Sequence, residues 1–328
     1  MASNKDVAKK ANVGVATVSR AINNTGYVSA KTRERIYRAM AELNYEPNQL
    51  AINLSLKRSG IIAVLVPDIM HPFFNEFISY AELTLKKLGF KTMICNANQY
   101  EQNEIEYLKM LKRHTVDGII TAVHTLDTHE YQSIDKPIVA LDRFINNDIP
   151  LVAVDHESGG ILAAKEFIRC RCKRVLQFES ERTITSPVQE RHEAFRRYME
   201  ANGVDVVSRL LQWNHLDNAY FEKVAEAAFA AHPGIDGVFG TDLIVLNFIK
   251  VALRNNVRVP NEIKAVAYDG TYITELTNPT VTCIRQPIQS LAQKCVEVLM
   301  DKIEGREEAP TFVRLDVTVH RRQSTSME

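Results

Sequence analysis

Polar and apolar positions along this chain change period once, near residue 59. Before that point apolar residues recur at helical spacing in three short runs. Val7, Ala8 and Ala11 mark one helix, opened by Ser3 with Asp6 three residues on, the spacing of a capping box. Gly14 supplies a tight turn. A second helix then spans Ala16 to Asn23, burying Val18 and Ile22 four apart and leaving Val15, Ala16, Thr17, Ser19 and Arg20 near its exposed start. Ser29 begins a third, in which Ile36, Met40 and Leu43 follow i, i+4, i+7 while Lys31, Arg33, Arg35 and Arg38 face outward. Three short helices sharing one small core form an all-α helix-turn-helix headpiece over residues 1–46.

From Ser59 onward strand-like runs alternate with amphipathic helical stretches: IIAVLVPD, KTMICN, GIITAVH, PIVALD, LVAVD, RVLQF, GVFGTD and AVAYD. This alternation predicts βαβ units, and runs so rich in Val, Ile and Leu suit strands covered by helices on both faces. The length accommodates two doubly wound parallel-sheet subdomains with a ligand cleft between them. The expected bounds are 59–157 plus 287–318 for one subdomain and 158–286 for the other. Asp68, Asp142, Asp155, Asp242 and Asp269 sit at or just past the ends of these strands, where open α/β sheets bind ligands. Asp also favours strand-to-helix turns as an N-cap, so each acid alone has a structural reading too.

Charge separates the two parts. The formal net charge of the chain is zero, yet residues 1–58 carry ten Lys/Arg against four Asp/Glu, a balance of +6, and the remainder carries −6. A basic module on an acidic body is the footprint of a nucleic-acid headpiece joined to a domain with another task. Thr, Ser and Arg at the exposed start of the second helix suit the major groove, where Arg reads guanine and small side chains allow close approach. A basic bundle that binds a protein or a membrane remains open on these residues alone.

Other chemistry is poorly supported. No apolar run approaches the ~20 residues of a membrane helix, and no signal sequence opens the chain, so a cytoplasmic protein is expected. Five cysteines without an export signal predict thiols, and Cys170-Arg-Cys172 has neither redox nor zinc spacing. No G-x-G-x-x-G follows a strand, and no Walker-type loop or G-x-S-x-G is present, so no cofactor and no metal are implied. His71, His124 and His192 fall near cleft segments without a nucleophile motif, and an enzyme is not expected.

DVAKKANVGVATVSRAIN, followed by VSAKTRERI and AELNYEPN, resembles the headpiece of the lactose-repressor and galactose-repressor family. The resemblance implies that Val15, Ala16 and Arg20 meet base edges, and that Thr17, Ser19, Asn23, Ser29 and Thr32 meet mainly backbone. Asn48 to Lys57 resembles the family's hinge helix within residues 47–58, which puts Asn48, Ala51 and Leu54 at the DNA, Leu54 as a minor-groove wedge. Residues 59–328 resemble the family's effector and dimerisation domain, a fold shared with periplasmic sugar-binding proteins. HPFF, VALDR, QERHEAF, GTD and AYDG then bring His71, Phe73, Phe74, Asp142, Arg191, Thr241, Asp242 and Asp269 to the cleft, with Trp213 of LLQWNHLDNAY.

Carboxylates, an Arg and an aromatic face suit a sugar. ALDR, YDGT and IRQPI are most similar to sucrose-operon repressors, implying a sucrose- or fructose-related sugar or sugar phosphate as effector. Arg143 beside Asp142 suits either a phosphate or a surface salt bridge. The implied partners are palindromic operator DNA and a second copy of the chain as a homodimer, with no membrane. Two alternatives stand: a catabolite-control-type regulator answering to a partner protein, and an intracellular sugar-binding protein.

Overall fold

The computed structural model describes residues 2–23, 25–47, 53, 58–97, 101–123, 129–132, 134–181, 186–213, 215–306 and 310–327. They form two compact units, residues 1–60 and 61–328. The first is built on helices α1 (Asn4–Ala11), α2 (Val15–Asn23) and α3 (Ala30–Glu42). The capping box is present: Asp6 N donates to the Ser3 hydroxyl at 3.4 Å, and Ser3 N donates to the Asp6 carboxylate at 2.8 Å. Val7, Ala8, Ala11, Val18, Ala21, Ile36 and Ala39 make the core, with Ile22, Met40 and Leu43 packed at its edge. Small side chains let the helices approach closely, so Ala21 takes the buried place expected of Ile22. Arg33 also departs from the outer face. Its Nη1 donates to Ala21 O at 2.8 Å, which sets a positive charge on the C-terminal carbonyls of α2.

The second unit alternates as its sequence predicts. In order come β1 (Ile61–Val66), α4 (Pro72–Lys87), β2 (Lys91–Asn96), α5 (Glu101–Lys112), β3 (Gly118–Thr121), α6 (His129–Gln132), β4 (Ile138–Leu141) and β5 (Leu151–Val154). Then follow α7 (His156–Arg169), β6 (Arg174–Ser180), α8 (Val188–Ala201), β7 (Asp205–Leu211), α9 (Asn218–Ala231), β8 (Gly237–Thr241), α10 (Asp242–Arg254) and β9 (Lys264–Asp269). A 3-10 turn (Tyr272–Glu275), β10 (Thr282–Arg285), α11 (Ile288–Glu304), β11 (Phe312–Leu315) and β12 (Thr318–His320) complete it. The strands make two six-stranded sheets, ordered β11-β5-β4-β3-β1-β2 and β12-β10-β9-β8-β6-β7. All pairings are parallel except that of β12, which runs antiparallel to β10 at an edge.

Both sheets are doubly wound. One face of the first packs on α4 and α11 and the other on α5 and α6; the second lies between α7 with α8 and α9 with α10. The central strands are therefore buried on both faces and carry near-continuous apolar runs. Phe195 of α8 stacks 4.5 Å from Phe239 of β8, and burying each such ring stabilises the layer by about 1.5–3 kcal/mol. The chain passes between the sheets three times: after β5 into α7, after β10 into α11, and between β11 and β12. The residues beside the first two of these passages matter most for the site.

Candidate functional site

The start of α2 presents the residues singled out for DNA. Val15 is 44% exposed, Ala16 and Arg20 are exposed, and Thr17, Ser19 and Asn23 are half-buried, all opposite the core residues Val18 and Ala21. Asn23 Nδ2 donates to Ser19 Oγ at 3.3 Å, so these two hold each other on one face. Ser29 caps α3, its hydroxyl accepting from Thr32 N at 3.3 Å and donating to Thr32 Oγ1 at 2.9 Å. Asn48, Ala51 and Leu54 lie outside the described residues.

In the second unit the C-terminal ends of strands from both sheets converge on a cavity of about 150 Å³. A single water needs only ~10–15 Å³ on this measure, so the space suits a small organic molecule. His71, Phe73, Phe74, Asp142, Arg191, Trp213, Thr241 and Asp269 all line it. Phe73 is both a core and a cleft residue, packed edge-on to Phe74 with centroids 5.3 Å apart. His71 stands at the N-cap position of α4 without a capping side-chain hydrogen bond, and burial lowers its pKa to about 4, leaving a neutral ring 5.4 Å from that of Phe74. Among the described residues its buried Nδ1 has no hydrogen-bond partner. Ser180, Gln212, His215 and Gln286 also line the cavity and were not anticipated.

The acids are held rigidly. Asp142 and Asp269 both carry positive φ, 54° and 108°, a backbone region that side chains other than glycine adopt only when their surroundings enforce it. Gln286 enforces it at Asp269, donating its backbone N–H to Asp269 O at 3.0 Å and its Nε2 to Asp269 Oδ1 at 2.7 Å. Burial, and then the nearby Asp242 carboxylate, push the Asp269 carboxyl well above the usual range. At Asp142 the backbone carbonyl accepts from Ser186 Oγ at 2.5 Å, and Oδ1 lies 2.9 Å from His156 Nε2. The other nitrogen of His156, Nδ1, lies 3.1 Å from Tyr268 Oη, and the Arg191 guanidinium carbon sits 4.3 Å from the centre of the Tyr268 ring.

Two expectations need correction. Asp242 does not line the cavity: its carboxylate accepts from Gly270 N at 3.1 Å, Thr271 N at 2.7 Å and Thr271 Oγ1 at 2.6 Å, so it fastens the loop after β9. Burial lifts its pKa to about 7 against the pull of those three donors. Arg143 meets neither cleft nor solvent. It is 1% exposed, and its Nη1 donates to Val123 O at 2.8 Å and to Glu104 at 3.2 Å, with Tyr131 donating to the same carboxylate. His192 lies behind the cavity beside Gln177, and His124 falls outside the described residues. Among the described residues no His, Cys, Asp and Glu cluster could hold a metal ion, and no helix is long and apolar enough to cross a membrane.

A three-helix unit with an exposed polar reading face, followed by a two-sheet cleft lined by carboxylates, a guanidinium and aromatic rings, defines a ligand-responsive DNA-binding regulator. The chain belongs to the lacI family of bacterial regulatory proteins. Residues 4–48 match the model of "bacterial regulatory proteins, lacI family", and residues 59–322 match that of "periplasmic binding proteins and sugar binding domain of LacI family". It is 35% identical over 307 residues to the ribose operon repressor of Halalkalibacterium halodurans, covering 93% of this chain and 92% of that protein. To the sucrose operon repressor of Streptococcus mutans it is 34% identical over 309 residues, covering 94% and 95%.

Solved structures agree on the fold. The lac repressor dimer bound to operator and the anti-inducer ONPF superposes with a TM-score of 0.84 at 22% identity, covering 99% of both chains. A periplasmic binding protein/LacI transcriptional regulator from Alkaliphilus metalliredigens, complexed with D-xylulofuranose, has a TM-score of 0.74 at 25% identity. It covers 82% of this chain and 100% of that one.

Proposed function

We propose that the chain represses a sugar-utilisation operon as a homodimer on a palindromic operator, with α2 in the major groove and an uncharged sugar in the cleft setting operator affinity. The observation that carries the sugar is the convergence of Asp142, Arg191, Asp269 and Trp213 on one cavity. Carboxylates and a guanidinium bind vicinal hydroxyls in pairs, while an aromatic face takes the C–H side of the ring. A phosphate ester fits less well. Among the described residues the lining holds two Asp, one Arg, His71 and His215; His71 is neutral and Arg143 is buried elsewhere, so Arg191 is the one guanidinium there to meet the ~1.5–2 charges of a phosphate.

Relatives named for sucrose and ribose operons support a sugar of that class. The operator-bound dimer of the lac repressor supports the assembly, as does geometry: one short helix reads only a few base pairs, so a specific site needs two. Effector control follows if the sugar binds one arrangement of the two sheets more tightly and that arrangement differs in operator affinity.

The test is a titration of the full chain with sucrose, D-fructose, D-ribose and their phosphate esters, read by thermal shift and Trp213 fluorescence, alongside gel shifts on operator fragments selected from host DNA. One uncharged sugar should raise the melting temperature and alter operator affinity. Arg191→Ala and Asp269→Ala should erase that response and leave operator binding in place. A response to a phosphate ester alone, or variants that respond like wild type, would refute the cleft assignment. Operator binding without any sugar response points to a partner protein as the controller.

A further inference from the structure

We propose that His156 is a positioning residue for the effector, a bridge between the two sheets that fixes how Asp142 and, through Tyr268, Arg191 present their polar groups to the cleft. This rests on the reading that Asp142 and Arg191 hold the sugar. His156 itself is fully buried and does not line the cavity, so it acts through its neighbours. It is the first residue of α7, placed where the chain leaves the first sheet for the second. Asp142 directly follows β4 of the first sheet and Tyr268 belongs to β9 of the second.

The bridge as proposed has definite hydrogen-bond directions, and these are what the test reads. A carboxylate only accepts, so Nε2 of His156 carries the hydrogen that reaches Asp142 Oδ1 across 2.9 Å. In this arrangement Nδ1 accepts, and Tyr268 O–H donates to it across 3.1 Å. The chain of bonds spans both sheets, one nitrogen of the rigid imidazole meeting a partner from the first and the other a partner from the second. The surroundings make room for the hydroxyl in particular: a Cβ on Gly159 would stand 2.4 Å from Tyr268 Oη. The Tyr268 ring, held at 22° to that of His156, is the surface under the Arg191 guanidinium. Turning the imidazole therefore turns the acceptor on one side of the cleft and shifts the seat of the donor on the other.

The test has an arm without sugar and an arm with it. In the full chain labelled with 15N-histidine, His156 should show a hydrogen on Nε2 and an unprotonated Nδ1, and Tyr268→Phe should shift the Nδ1 resonance. The reverse tautomer, or an Nδ1 indifferent to Tyr268→Phe, overturns the proposal. In the second arm, sucrose, D-fructose and D-ribose are titrated against His156→Ala, His156→Gln and Tyr268→Phe with Trp213 fluorescence as readout. His156→Ala should bind the active sugar about tenfold more weakly, while His156→Gln, whose amide still donates to Asp142, recovers most of the loss. A folded His156→Ala with wild-type affinity, or a His156→Gln as weak as His156→Ala, overturns it. Where His156→Ala does not fold, the other two variants decide. If wild type binds none of the three sugars, the cleft reading fails instead, and the tautomer alone upholds or overturns the bridge.

Discussion

Gly160→Ala is the substitution whose effect follows most directly from geometry. Gly160 lies in α7 where that helix meets α8, and a Cβ there would stand 2.3 Å from the backbone carbonyl oxygen of Arg191 and 3.0 Å from its Cα. A backbone oxygen cannot swing aside as a side chain can. Opening the approach even to 3.0 Å moves α8 by about 0.7 Å, and α8 carries Arg191 into the cleft. Ala improves helix propensity by about 1 kcal/mol, while overpacking of this kind costs about 1–3 kcal/mol. With backbone as the obstacle the upper end applies, for a net loss of about 1–2 kcal/mol, or roughly 2–8 °C in a unit of this size. Thermal denaturation measures the loss, and Trp213 fluorescence with sucrose, D-fructose and D-ribose measures the accompanying fall in affinity. Gly203→Ala is the control: its φ of +73° imposes about 1–2 kcal/mol of strain in open space, far from Arg191, so stability falls and affinity stays. If Gly160→Ala melts at or above wild type and keeps full sugar affinity, the close approach does not position Arg191.

Three further outcomes follow from the same structure. Arg20→Ala should lower specific operator affinity by about 1–3 kcal/mol and hardly change binding to random DNA; equal losses in a competition gel shift would remove Arg20 from base reading. Arg143→Met removes the guanidinium from the Glu104 carboxylate, which is 0% exposed and keeps Tyr131 as a donor, and should cost about 3–5 kcal/mol in urea denaturation, with most of it regained in the double variant Glu104→Leu/Arg143→Met. A stable single variant with an altered ligand response would instead restore Arg143 to the cleft. For His71, burial lowers the folded pKa to about 4 from an unfolded value near 6.5, so between these values the unfolded state takes up a proton that the folded state refuses. Stability contributed by the neutral ring is thus lost as pH falls from about 6.5 to 4, and the melting difference between His71→Gln and wild type should move in favour of the variant over that window. A difference independent of pH would mean that His71 titrates normally in the fold.

The parts legible in sequence were those written locally. A capping box, apolar spacing of 3.6 and strand runs ending in Asp each announce themselves within a few residues, which is why the headpiece and the alternating second unit could be read directly. Three of the four edge strands could not: DVVSRLL of β7 and the short β11 and β12 mix polar with apolar residues because one side of each faces no neighbouring strand, whereas KTMICN of β2, also at an edge, could. Long-range partnership was equally invisible. Asp242 and Asp269 look alike as strand-end acids, yet only the loop after β9 decides that one fastens backbone amides and the other faces the cavity. Arg143 finds Glu104 some 39 residues away on another element, and nothing beside either residue says so. Gln286 could have been weighed sooner, since it sits just past β10 where the chain changes sheet, as His156 does just past β5.

These passages between sheets give the cleft its leverage. His156 follows the first passage and Gln286 stands at the second, while Asp142, just past β4, reaches His156 through its carboxylate, so groups that would hold a sugar adjoin the places where the chain crosses from sheet to sheet. A ligand that draws Asp142 and Arg191 together acts on the bridge from His156 to Tyr268 in the same motion, without needing a separate transmission path. β1 supplies the remaining link: it pairs with both β2 and β3 inside the first sheet, its C-terminal end leads to His71 at the cavity, and its N-terminal end continues from Arg58, Ser59 and Gly60 of the headpiece unit. A packed parallel strand does not slip by fractions of its register, because a one-residue shift would turn every buried side chain to the other face.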